Sequence, residues 1–207
     1  KMYLKFYNLK CEPFHITPDP DFLFLSPSHR EALASVLYGV ERRKGFVAVI
    51  GEVGTGKTTV IRSYLARRKV QNLVPIYLFN CDVNFQELVR TILKGLGITP
   101  VSNNVNDLVH QLGAALIEAF RKGWNVALFI DEAQNMPVQT LESLRMLSNL
   151  ETHKQKLLQI ILIGQPELMD KLLMHELRQL YQRVFIHVSL DPLSPSESEN
   201  YIRHRLA

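Results

Sequence analysis

The period of apolar positions changes repeatedly along the chain, and each change marks an element. Phe46–Ile50 ("FVAVI") is a continuous apolar run, and Ile76–Asn80, Val126–Ile130, Leu157–Gly164 and Val184–Leu190 are further runs of strand length. Between them, apolar residues recur at the three- and four-residue spacing of a helix with one buried face. This predicts helices over about Lys57–Arg68, Phe85–Gly95, Leu108–Lys122, Val138–His153 and most of Glu167–Tyr181. An earlier one runs from His29 to about Arg43, capped by Ser28, with Ala32, Val36, Leu37 and Val40 on one face. Apolar strands alternating with helices belong to a parallel sheet covered on both sides. The expected class is therefore a three-layer α/β sandwich.

The two ends read differently from this core, which spans residues 29–192. In residues 1–28, Pro13, Pro18, Pro20 and Pro27 argue against a helix. Phe6, Tyr7, Phe14, Phe22 and Phe24 in the same stretch still need a surface to pack on. At the other end, "LDPLSPSESENYIRHRLA" opens a new helix capped by Ser194 or Ser196. Residues 193–207 are expected to begin a further helical unit.

Composition narrows the class only a little. Hydrophobic residues at 46% and charged ones at 21% are ordinary for a globular protein. The net charge of +4 is mild. Its basic clusters, Arg42-Arg43-Lys44 and Arg67-Arg68-Lys69, fall at helix C-termini, where cations offset the helix dipole without any ligand. Cys11 and Cys81 lack metal or redox spacing, and the seven histidines show no ligand pattern, so no transition metal is expected. With no apolar run near the roughly 18 residues of a membrane helix, the expected location is the cytoplasm.

The chemistry lies in two motifs. Gly51-Glu52-Val53-Gly54-Thr55-Gly56-Lys57-Thr58 matches G-x-x-x-x-G-K-[ST] between a predicted strand and a predicted helix. Its glycines let successive N–H groups curl around phosphate, backed by the helix N-terminus. Lys57 would reach the β- and γ-phosphates, Thr58 would hold Mg²⁺, and Thr59 would neighbour the α-phosphate. The second motif, "VALFIDEAQ", places Asp131 and Glu132 at the mouth of a strand. Asp131 can orient water on Mg²⁺, and Glu132 can activate the attacking water. A glutamate in this place points to ATP hydrolysis. With one strand, Ile76–Asn80, between the motifs, the expected sheet order is 5-1-4-3-2.

Other polar positions extend this plan. Gln165, at the end of the fourth strand, could contact the γ-phosphate, and Asn80, ending the second, could hold Glu132 away from water. Arg183, just before the fifth strand, is the preferred arginine finger for a neighbouring subunit's nucleotide, ahead of Arg178. Such a site is completed by a homo-oligomer.

The leader "FYNLKCEPFHITPDPDFLFLSPSHREALASVLYGV", with "GFVAVIGEVGTGKTT", "LFIDEAQNMP" and "LIGQPEL", resembles the AAA+ ATPases of the general secretion pathway protein A family. The resemblance implies a P-loop AAA+ core followed by a small helical lid, of which residues 193–207 would hold the first helix. It also implies ATP and Mg²⁺ bound through Gly54, Gly56, Lys57, Thr58, Asp131 and Glu132, with Phe14, His15 and the early helix beside the base. A working ring or dimer at the inner membrane is implied too, with a membrane-anchored partner protein of the secretion system. Transposition ATPases carry similar "DEAQ" strands, so a DNA-binding regulator is the alternative. A nucleotide-dependent scaffold with negligible hydrolysis is the third reading.

Overall fold

The computed structural model describes residues 4, 6–7, 12–13, 24–67 and 72–206. In chain order, α1 (Pro27–Glu41) leads to β1 (Phe46–Gly51), α2 (Lys57–Arg67), β2 (Leu73–Leu78), α3 (Phe85–Gly95) and α4 (Val105–Arg121). Then come β3 (Asn125–Ile130), α5 (Val138–Leu147), β4 (Leu158–Gly164), α6 (Pro166–Leu172), α7 (Arg178–Tyr181), β5 (Val184–Leu190) and α8 (Pro195–Leu206). Short 3₁₀ turns at Ala133–Asn135 and His175–Leu177 follow β3 and precede α7. The five strands form one sheet ordered β2-β3-β4-β1-β5, and all its pairings are parallel. This is the 5-1-4-3-2 order expected from the motif spacing.

Strand periodicity divides the core into two clusters. Phe46, Ala48 and Ile50 of β1, with Val126, Leu128 and Ile130 of β3, face one layer, which buries Leu88, Leu112 and Leu144 of α3, α4 and α5. Val47 and Val49, with Ala127 and Phe129, face the other, against Ala32 and Val36 of α1 and Ile61 of α2. Each large side chain fully buried this way contributes roughly 1.5–3 kcal/mol. Because both faces are covered, β1 and β4 are buried along their whole length. β5 alternates in burial from Val184 to Leu190, but a register shift between Phe46 and Val47 skips Phe185, so that Val184 joins the first cluster while Ile186, Val188 and Leu190 join the second.

Several boundaries differ from expectation for local reasons. α1 begins at Pro27 and is capped by Ser26, not Ser28, because proline's fixed φ suits the first helical position and its missing N–H is no loss there. β2 ends at Leu78, two residues before the expected Asn80. Pro75 is tolerated within it because β2 is an edge strand. α5 stops at Leu147, and a turn closed by the Glu151–Lys156 bridge replaces its expected last turn. Helix also breaks between Leu172 and Arg178, where the pattern suggested near-continuity.

α8 starts at a capping box: the Ser194 N–H donates to Glu197 Oε2 (2.8 Å) and the Glu197 N–H to Ser194 Oγ (3.3 Å). It packs back on the leader. The rings of Tyr201 and His204 each lie 6.0 Å from Phe24, and buried Arg205 donates from Nε to the Pro13 carbonyl. Among the described residues, no helix is long and apolar enough to cross a membrane.

Candidate functional site

In a parallel sheet the C-terminal strand ends converge at one mouth, and both motifs meet there. β1 runs into a tight turn that holds Gly54 at φ 80° and Gly56 at φ 84°, before α2 starts at Lys57. Both angles are left-handed, which glycine adopts without strain. Thr55 closes the turn on itself, its hydroxyl donating to the Glu52 carbonyl at 2.9 Å. Glu52, Val53 and Gly54 lie exposed at the tip. Lys57 is only 6% exposed, with Nζ donating to the carbonyls of Gly51 (2.7 Å) and Glu52 (2.9 Å). The ammonium is thus lodged inside the turn that the motif predicts as a cradle. Thr59, on the first turn of α2, is half-buried.

The carboxylates close the other side. Thr58 Oγ1 donates to Asp131 Oδ2 at 2.8 Å, joining the first turn of α2 to the end of β3. The next residue, Glu132, turns aside with φ 54° and ψ 43°, and its N–H donates to Asp131 Oδ1 at 3.1 Å. A left-handed conformation is uncommon for glutamate and costs on the order of 1 kcal/mol. It sends the side chain toward β4, where Glu132 Oε2 accepts from Gln165 Nε2 (3.0 Å) and Gln134 Nε2 (2.5 Å). Gln134 also accepts the Gln165 N–H through Oε1 at 3.2 Å. Gly164 makes this approach possible: a Cβ there would stand 2.8 Å from Gln134 Oε1.

Asn80 does not take the role expected of it. Since β2 ends early, Asn80 sits in the following loop, and its Oδ1 accepts the Asp82 N–H at 3.1 Å. The two glutamines hold Glu132 instead. Below them, the Cys81 thiol donates to the Asp131 carbonyl at 2.8 Å. Burial, followed by the charges of Asp131 and Glu132, pushes this thiol up to about 11, so it is a neutral donor near pH 7. Cys81 is a free cysteine.

The residues present suit a magnesium-bound triphosphate. A hydroxyl and a carboxylate oxygen on adjoining elements are hard oxygen donors, the chemistry Mg²⁺ selects. A buried lysine at the start of a helix is the matching cation for phosphate.

The AAA domain family matches residues 40–172, more than half of the chain. The chain belongs to this family. It is also 39% identical, over 99% of its length, to general secretion pathway protein A of Aeromonas hydrophila. It spans 38% of that relative's length. Solved structures of similar fold include the ORC2 protein of Aeropyrum pernix in its ADP form, with TM-score 0.64 and 14% identity, covering 98% of this chain and 55% of that one. Cdc6p from Pyrobaculum aerophilum gives TM-score 0.64 at 18% identity, covering 92% and 53%. Drosophila ORC bound to DNA gives TM-score 0.61 at 16% identity, covering 94% and 49%.

Arg183 stands apart from the mouth. It precedes β5, so the length of the strand, about 20 Å, separates it from its own phosphate turn. Its Nη1 donates to Ser148 Oγ (2.6 Å) and Asn149 Oδ1 (3.2 Å), both neutral. Arg178 is exposed at the start of α7. Phe14 and His15 lie outside the described residues.

Three side chains escaped sequence reasoning. Gln134 was visible only as part of "DEAQ". Lys171 Nζ donates to the carbonyls of Gln134 (2.8 Å) and Met136 (2.6 Å), tying α6 to the turn after β3. His29, grouped with the unassigned histidines, is buried against the phosphate turn. No linear spacing reveals the contacts of the last two, which span 37 and 35 positions from Lys171 and 26 from His29.

Proposed function

We propose that this AAA domain binds Mg²⁺-ATP at the sheet mouth and hydrolyses it, using turnover to drive assembly or remodelling of a complex at the inner membrane. The observation that carries hydrolysis is Glu132, set beside the Thr58–Asp131 pair and aimed by Gln165 and Gln134. In this reading Gly51–Thr59 cradle the phosphates through backbone N–H groups and Lys57 neutralises the terminal ones. Thr58 and Asp131 hold Mg²⁺, which supplies charge neutralisation to the phosphate oxygens. Glu132 takes the proton of the attacking water, and Gln165 contacts the γ-phosphate. Likeness to general secretion pathway protein A supports the secretion role; the proposed role extends to a membrane-anchored partner protein of that system.

Arg183 serves a second copy. Its distance from its own mouth and its neutral partners suit a finger that inserts into a neighbour's site in a ring or dimer. Residues 1–28 act as a leader, 29–192 as the nucleotide core and 193–207 as the opening of a helical lid. The deciding experiment is Glu132→Gln: ATP should still bind while turnover is lost, and unchanged turnover would sink the assignment.

One feature favours the DNA-binding alternative. A groove of about 780 Å³ at the base of the sheet is lined by Arg43, Lys44, His153, Lys154 and Lys156, with Glu151 as its acid. A salt-dependent shift of duplex DNA by ATP-loaded protein would support that reading, and no shift at low salt would count against it.

A further inference from the structure

A turn that offers its N–H groups to an anion must direct carbonyls elsewhere, and each buried carbonyl then needs its own donor. In this turn the Thr55 carbonyl finds one outside the motif. His29 Nε2 lies 2.8 Å from it, and since a carbonyl can only accept, Nε2 carries the proton. The ring is 7% exposed and Thr55 is 9% exposed, so water is poorly placed to substitute. On the far side of the ring, Nδ1 sits 2.5 Å from Ser26 Oγ, and Ser26 is 1% exposed. Nδ1 and the Ser26 hydroxyl thus form a second hydrogen bond across the ring. Ser26 Oγ in turn accepts the His29 N–H at 3.4 Å as the cap of α1. The imidazole is thereby fixed at both nitrogens.

Contact with the turn continues at the next residue. A Cβ on Gly56 would lie 3.3 Å from His29 Nε2, so the ring stands directly against the backbone whose φ of 84° shapes the cradle. Phe24, two residues before Ser26, packs on Tyr201 and His204 of α8. The support for the turn therefore runs from α8 through the chain ahead of α1.

Building on the nucleotide reading above, we propose that His29 is a positioning residue of the phosphate cradle: it anchors the Thr55 carbonyl away from the ligand, so that the N–H groups of the turn face the phosphates before ATP arrives. Losing this donor leaves a buried carbonyl free to rotate toward the phosphates, where it repels them.

The test compares His29→Ala, His29→Gln and His29→Asn. The glutamine amide nitrogen reaches the place of Nε2, whereas asparagine falls short by one methylene. Binding of a fluorescent ATP analogue should weaken roughly three- to tenfold in the alanine and asparagine variants, and stay within about twofold of wild type in the glutamine variant. Without nucleotide, amides of residues 53–57 should exchange faster in His29→Ala, while those of β1 and β3 keep wild-type protection. Wild-type affinity and exchange in His29→Ala, or equal loss in the glutamine variant, would overturn the proposal. Wild-type protein that binds no nucleotide overturns the ATP reading together with this one. Intact wild-type binding with an indifferent His29→Ala overturns only the role of His29.

Discussion

The two ends of the sheet are built from similar residue types and used differently. At the mouth, polar side chains bind one another: Thr58 to Asp131, and Gln134 and Gln165 to Glu132. At the base Lys156 pairs with Glu151, and the other cations spread over aromatic rings and neutral oxygens. Arg43 stacks over Phe120 (4.9 Å), Lys44 over Phe185 (4.7 Å), and Arg183 rests on Ser148 and Asn149. Buried polar atoms without a partner, Arg43 Nη1 and Asn125 Oδ1, also occur at the base, while the described mouth residues have none. A cross-linked polar set is preorganised for charge that develops during a reaction. Loosely held cations suit contacts that form and break with another molecule. The difference argues that chemistry resides at the mouth and its completion comes from a neighbour's base.

Breaking that division has graded consequences. The largest effect is expected for Arg183→Ala: multi-subunit turnover should fall by roughly 10³–10⁵-fold while ATP affinity is unchanged. Steady-state ATPase against protein concentration checks this, because wild-type specific activity should rise with concentration and the variant's should not. Next, Glu132→Gln should cost about 10²–10⁴-fold in turnover and leave binding near wild type, as read by single-turnover hydrolysis and equilibrium binding. Lys57→Ala removes a charged partner of the phosphates and should weaken ATP binding about 10- to 100-fold, measured by calorimetry. Equal loss from Lys44→Ala at the base would contradict the division. The smallest change is expected for Gln134→Ala, which removes one of the two amides that aim Glu132 and should lower single-turnover rates of the isolated domain about two- to tenfold.

Much of this was legible along the chain, because periodicity is a local property. Continuous apolar runs in β1, β3 and β4 mark strands buried on both faces, and the interposed helical spacing supplies the covering layers. Boundaries slipped where a local residue outweighed the pattern: Pro27 moved the cap to Ser26, and β2 ended before Asn80. That second slip also explains the change of partner at Glu132. A side chain in a loop satisfied by its own turn no longer reaches across the sheet.

The sequence by itself determined the order of elements, the strand order, and the pairing of a glycine-rich phosphate turn with an Asp-Glu strand end. These follow from period, from residue type and from the spacing between motifs. Only the tertiary structure decided who supports those motifs. Glu132 meets Gln165 across 33 positions where parallel strand ends come together, and the Thr55 carbonyl meets His29 across 26 where α1 packs against the turn after β1. A buried polar atom takes whichever donor packing delivers within reach, and that reach is set by the fold in three dimensions.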